Sequence, residues 1–240
     1  MFDRQKYKRF ARIQLQGRWA VPVIMTLIIT IISSIFSVPE ISRIYSSGAL
    51  ELFQNGSYIN AMEAINQQQA SPYQFPLTLL QAIIGQILSV AALNLYLKMT
   101  RSPDKVSLST FVEGFNNWGR AALGCLWELL WVFLWTLLFI IPGIIKAISY
   151  SQMYYLIAEY DNISVTKAMN ISKIITKGHK WDIFVMGLSF IGWILLSVIT
   201  LGISDLFVSP YMSLSFVNAY HAMLKEAVET GKIKPEDLSE

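Results

Sequence analysis

Six stretches of this chain run for 16 to 23 residues with almost no charge, at 19–38, 75–97, 121–141, 144–159, 183–201 and 205–224. A bilayer core about 30 Å thick is crossed by about 20 apolar residues of helix rising about 1.5 Å each, so runs of this length suit a membrane-spanning chain. Composition agrees: 54% of the residues are hydrophobic and 15% charged, against about 25% charged in an average soluble domain. A mean hydropathy of +0.45 and a single cysteine exclude a disordered or disulfide-stapled chain. A net charge of +3 gives no ground for nucleic-acid binding.

Pro142-Gly143 decides the topology. One helix through 121–159 would be roughly 58 Å long, too long for a single crossing, and its proline and glycine would cost about 3 and about 1 kcal/mol. The pair therefore predicts a tight turn between two spans. The bases point the same way, because cytoplasmic loops collect Lys and Arg. With the amino terminus inside and six spans, 17 of the 19 basic residues fall on the cytoplasmic side, leaving Arg43 and Lys146. A mere kink at Pro142 would put Lys167, Lys173, Lys177 and Lys180 outside. The short Gly202-Ile203-Ser204 connection forces a further reversal. The sequence thus reads as an all-α integral membrane protein of six transmembrane helices in three hairpins, with both termini cytoplasmic and the cell membrane as its location. A basic juxtamembrane segment occupies 1–18, a membrane domain 19–224 with an outside loop at 39–74, and a polar tail 225–240. Within the loop, 58–69 is predicted helical and 66–70 polar and featureless. The first run exceeds the about 7 to 15 residues of a secretory h-region and is read as retained.

Each outward-going span follows a polar or amphipathic stretch that ends in tryptophan beside glycine and a base: Gly17-Arg18-Trp19, Trp118-Gly119-Arg120 and Gly178-His179-Lys180-Trp181. Before the second, Leu108, Phe111, Phe115 and Trp118 recur at helical spacing, and Thr110 with Glu113 fits a capping box. Before the third, Val165, Ala168, Met169 and Ile175 share a face opposite Lys173, Lys177 and Lys180, with Ser164 as cap. These are expected to be amphipathic interfacial helices on the cytoplasmic side, lysines toward anionic lipid and tryptophans at the headgroups. Either the chain is three copies of surface helix plus hairpin, or such clusters arise wherever a helix meets a membrane. Trp19, Trp118, Arg120, Lys173, Lys177, His179, Lys180 and Trp181 are the candidate lipid-headgroup residues. The loosely amphipathic segment 4–18 is the best candidate for a lipid-binding stretch, and ordinary topology determination is the simpler role for all these bases.

Several motifs carry a resemblance. They are the run from Leu134 through Pro142-Gly143-Ile144-Ile145-Lys146, then Gly178-His179-Lys180-Trp181, Leu188-Ser189-Phe190-Ile191-Gly192-Trp193, and Thr200-Leu201-Gly202-Ile203 before Ser209-Pro210-Tyr211. Together they resemble the bacterial integral membrane family catalogued as domain of unknown function 975, most strongly over 134–211. The resemblance implies a multi-pass bacterial membrane protein and supplies no activity, substrate or catalytic residue. Glu128 is not part of the shared pattern.

A charge at mid-membrane costs about 2.5 to 3.5 kcal/mol and usually faces the bundle interior. Glu128 lies roughly 10 Å into the third span, sharing a helical face with Gly124, Trp131 and Trp135. It reads as a proton or cation site, or as a protonated packing residue. Lys146 is expected to snorkel to the outer interface, roughly 15 Å in height from Glu128. Lys146, Ser149, Tyr150 and Met153 follow one helical face with Gln152 at its edge, a polar side suited to an aqueous path or to hydrogen bonds between packed helices. Glu128, Lys146, Ser149, Tyr150 and Gln152 form the candidate intramembrane polar site. No catalytic motif, metal-ligand spacing or cofactor motif occurs, so an enzyme is not expected. His179 reads as part of the basic cluster and His221 as a helix end, while Cys125 reads as a small apolar residue. The functional expectation is transport, channel or lipid handling through a polar intramembrane path; the alternative is a non-catalytic membrane scaffold or accessory subunit. The lipid bilayer and anionic headgroups are the expected partners, and a membrane-protein partner or a homo-oligomer is compatible with either reading.

Overall fold

A computed structural model of the chain is 81% helical, and among the described residues, 2–67 and 72–238, it contains no strand. The chain forms two compact units, one of residues 1–27 and 86–240, the other of residues 28–85.

In the larger unit, α1 (Arg4–Leu15) starts where the Asp3 carboxylate accepts from the Lys6 amide at 3.0 Å. Tyr7, Ala11 and Leu15, spaced one turn apart, are buried as α1 packs on the last helix, α13 (Asp205–Glu229). Gly17, in the left-handed region at φ 70°, turns the chain into α2 (Ala20–Ser46). All the buried residues of α5 (Gln74–Arg101) lie from Leu88 onward, Tyr96 among them. Next come α6 (Leu108–Glu113), a 3-10 turn at Gly114–Asn117 and α7 (Trp118–Leu138). The chain then runs back along α7 as α8 (Ile140–Tyr150) and α9 (Met153–Glu159). After α10 (Val165–Ile175), capped by Ser164, Gly178 at φ 97° leads into α11 (Lys180–Leu188) and α12 (Ile191–Ile199), and the turn 200–204 leads to α13. In the smaller unit, α3 (Ala49–Gln54) packs on α4 (Tyr58–Gln67) over Ala49 and Ala61, neither with any exposed surface.

Four helical segments are long and apolar enough to cross a membrane: Ala20–Ser46, Gln74–Arg101, Leu108–Leu138 and Lys180–Ile199. The expected spans at 144–159 and 205–224 are helical but not among them. Ser151 and Gln152 break the first into α8 and α9, and the second, within α13, carries polar residues because eleven residues of α13 are buried in protein. The turn expected at Pro142-Gly143 falls earlier. Phe139, extended at φ −158° and ψ 143°, makes the reversal, and Pro142 sits in the first turn of α8, where a helix needs no N–H. Gly143 then lets α8 close on Thr136, whose hydroxyl a Cβ would overlap. The first span does not stop at Pro39 either. Only one helical N–H is lost there, and α2 continues to Ser46. Helix α4 ends at Gln67, and positions 68–70 of the expected loop helix and polar stretch lie outside the described residues.

Candidate functional site

The five residues of the expected intramembrane site lie on α7, on α8 and at the α8–α9 break. Glu128 accepts a short hydrogen bond from the Tyr154 hydroxyl, possible because Gly124, one turn earlier on α7, lets α9 approach to where a Cβ would lie 3.2 Å from Met153. The Lys146 amine sits 4.3 Å from the centroid of the Trp135 ring. Ser149 and Gln152 flank the α8–α9 break, and α10 repairs it. The Ser172 hydroxyl donates to the Ser149 carbonyl at 2.7 Å and accepts from the Gln152 N–H at 3.2 Å. Gln152 Oε1 is buried without a partner. Tyr150 is buried, with the Lys173 amine 5.5 Å over its ring. Burial, then Lys146, pulls the Lys173 amine below its ordinary range.

The candidate headgroup residues divide. Trp118 and Trp181 are exposed, and Lys177 projects outward. Arg120 instead donates to the carbonyls of Tyr160 at 2.6 Å and Ile163 at 3.2 Å, fixing the start of α7 to the α9–α10 connection. His179 pairs with Glu226 at 3.2 Å, Lys180 is half-buried, and the Trp19 ring packs on Phe207. The apolar face of α10, with Ala168, Met169 and Ile175 buried, is pressed on α8, α9 and α13.

The polar groups that do converge lie at the end of α5, around Arg101. Its guanidinium pairs with Glu159, whose side chain is only 5% exposed and also accepts from the Tyr220 hydroxyl, with His221 Nε2 at 3.5 Å. Burial, then the Glu159 charge, pushes the neighbouring Tyr160 phenol up to about 12, so it stays neutral. Beside this network opens a recess of about 450 Å³, lined among others by Asn94, Lys98, Arg101, Glu113, Asn117 and Glu159. Lys98 is tethered there to Thr110 at 3.3 Å and Glu113 at 3.9 Å.

A second recess of about 400 Å³ shares Arg101 and is lined also by Gln14, Arg18, Thr100 and Ser102. Arg18 spends one donor on the Met99 carbonyl at 3.2 Å, while its Nε and Nη2 are shielded from solvent and meet no partner. Burial lowers the Arg18 pKa from its ordinary value, an effect opposed by Asp104. A third hollow of about 150 Å³ touches Arg18 from the side of Ala20, Val21, Lys105 and Val106. Guanidinium and ammonium donors, without a carboxylate in the second or third lining, are the chemistry of an anion site, while the Thr100 and Ser102 hydroxyls are spent on the Leu97 carbonyl and the Asp104 carboxylate. Among the described residues no group of three or more His, Cys, Asp or Glu can hold a metal ion.

A family model described as protein of unknown function (DUF975) matches residues 1–149 and again residues 121–227. The chain belongs to the DUF975 family. No curated protein and no solved structure matches it. In this DUF975 protein, sequence reasoning missed Arg101, Glu159, Tyr220 and His221 as one network. Glu159 closes an apolar run as its only acid, a signal that a buried partner was needed; nothing local pointed to Tyr220 or His221, 61 and 62 positions on.

Proposed function

We propose that this protein is a non-enzymatic, lipid-handling protein of the bacterial cytoplasmic membrane, and that the two recesses flanking Arg18 hold the phosphate of an anionic phospholipid. Both termini lie on the cytoplasmic side. The chain enters the bilayer as three helix pairs, α2 with α5, α7 with α8–α9, and α11–α12 with α13, each preceded by one amphipathic helix. The observation that carries the reading is Arg18. A shielded guanidinium with two unused donors costs free energy unless an acceptor fills the space before it. Its place between α1 and α2, next to Trp19, is the height of lipid headgroups. Arg101 from α5 adds a second guanidinium to the second recess, and apolar Val21 and Val106 flank Arg18 on the third.

The test is retention of phosphatidylglycerol, read by native mass spectrometry after reconstitution in mixed phosphatidylglycerol and phosphatidylcholine vesicles. The wild type is expected to keep phosphatidylglycerol in preference, and Arg18→Gln to keep about tenfold less, the worth of one charge-assisted bidentate contact. Arg18→Lys keeps the charge and loses the fork, and should fall between. No preference in the wild type, or equal retention by Arg18→Gln, overturns the reading.

A further inference from the structure

Two of the three helix pairs reverse in turns made of large apolar side chains. Leu137, Leu138, Phe139, Ile140 and Ile141 are each at least 63% exposed, and in the last turn Leu201 is 93% exposed between Ile199 and Ile203. In a pair that crosses the bilayer, such turns would stand in water on the far side, where contiguous exposed apolar surface is unfavourable.

The last turn also meets its own polar needs. The Ser204 N–H and hydroxyl bond Thr200 Oγ1 and Ser197 Oγ at 3.1 Å each, the Thr200 hydroxyl donates to Ser204 Oγ at 2.9 Å, and the Gly202 N–H donates to the Ser197 carbonyl at 2.7 Å. Internal satisfaction of this kind is what a turn surrounded by hydrocarbon requires.

The depth of each pair is fixed by the charged helix docked on it. Helix α1 exposes Arg4, Lys6, Arg9 and Arg12, so it lies in the aqueous or headgroup layer. Its Lys8 amine donates to the Ser189 carbonyl at 3.2 Å, and its Arg12 to the Tyr211 hydroxyl at 3.2 Å. Trp19, at the start of α2, packs on Phe207 with ring centroids 5.8 Å apart. If α11–α12 crossed and α13 returned, residues 19 and 207 would stand at opposite faces, about 30 Å apart. Only about ten residues per arm, roughly 15 Å, lie beyond Ser189 and Tyr211. The second pair repeats the arithmetic. Helix α10 bonds Ser149 and Gln152 through Ser172 and lays Lys173 over Tyr150, while Glu128 meets Tyr154. About ten residues on each arm, again roughly 15 Å, remain before Phe139.

We propose that 129–149 and 190–210 are re-entrant wedges that enter and leave through the cytoplasmic leaflet, with the acyl chains of that leaflet as their partner. The only full crossings are then α2 and α5, whose 27 and 28 residues are ample. Glu128 stops being a mid-membrane charge, lying at the level of α9 beside Tyr154, while the Lys146 amine rests on the Trp135 ring within the wedge.

Single cysteines in a Cys125→Ala background test this in intact spheroplasts with a membrane-impermeant maleimide. Ser57→Cys, between the two crossing helices, should label from outside. Ile141→Cys and Ile203→Cys should label at least about tenfold less from either side, and a bimane placed there should be quenched by doxyl groups on lipid chains. Both sites are exposed to the surroundings, 71% and 69%, so cysteine there removes no internal packing. Labelling of Ile203→Cys and Ile141→Cys from outside at the Ser57→Cys rate means full crossings and overturns the proposal. Labelling from the cytoplasmic side overturns it too, since the turns would then stand in water.

Discussion

Glycine at a contact and glycine on an open surface look alike in a sequence, and here they differ sharply. A Cβ on Gly114 would lie 2.6 Å from the Ala91 Cα and 2.7 Å from its carbonyl oxygen. Both are backbone atoms and cannot swing aside, so the turn after α6 docks on α5 only because position 114 has no side chain. Gly114→Ala is expected to cost about 1 to 3 kcal/mol, the usual range for forced overpacking, read as a lowered melting temperature in detergent. Gly192→Ala on α12 meets nothing within 4 Å and should be neutral or gain up to about 1 kcal/mol from helix propensity. Equal melting of the two variants would mean that α6 does not pack on α5 as described. Residue identity revealed more for Arg18, which the Gly17-Arg18-Trp19 pattern had singled out. What the pattern did not carry was its pairing state, because the donors of a guanidinium are satisfied or left free by groups 80 positions away.

The apolar runs located α2, α5, α7 to α9 and α11 to α13, and errors fell at their ends and breaks, where side chains from distant elements decide. Nothing in 144–159 says that Ser151 and Gln152 leave the helix, because the break is stable only once Ser172 of α10 supplies both an acceptor and a donor. Ser172→Ala therefore strands the Gln152 N–H and the Ser149 carbonyl in a buried place. A loss of about 1 to 3 kcal/mol is expected, the cost of one unsatisfied buried polar group; Thr176 covers part of the second, its hydroxyl lying 3.5 Å from the Ser149 carbonyl. Hydrogen exchange provides the local check, with the Gln152 amide speeding up before the rest of α9. An unchanged Gln152 amide would mean that the break is held by something other than α10. The same reasoning explains why α10 was read as a lipid-facing helix. Its apolar face is plain in the sequence, but a face has no label saying whether protein or lipid covers it, and here α8, α9 and α13 do. Charge counting had the complementary blindness: a crossing pair and a re-entrant pair both return their lysines to the side they left.

At the largest scale, the larger unit is held together by its first and last α-helices. Helix α1 lies along α13 with Ala11 and Leu15 fully buried, and the side-chain amides of Gln14 and Asn218 bond each other at 3.1 and 2.9 Å. Each amphipathic helix repeats this act: α6 bonds α5 through Asn94 and Lys98, α10 bonds the α8–α9 break through Ser172, and α1 holds the α11–α12 break through Lys8. The amino-terminal segment is therefore a structural clasp, and the proposed lipid site depends on it, because Gly17 passes directly from α1 to Arg18. Ala11→Asp puts a carboxylate where there is no exposed surface, which costs more than one docked helix can supply. The expected result is release of α1, with trypsin cleavage at Arg9 and Arg12 at least about tenfold faster, since exposure of a released segment scales with the free energy of its opening. Phosphatidylglycerol retention should fall with it, to the level of Arg18→Gln, although Arg18 itself is untouched. If α1 is released while retention stays at the wild-type level, the anion site does not need the clasp and Arg18 is not its centre. If trypsin sensitivity does not change, α1 is not held by α13, and the depth of the last helix pair is not tied to that of α1.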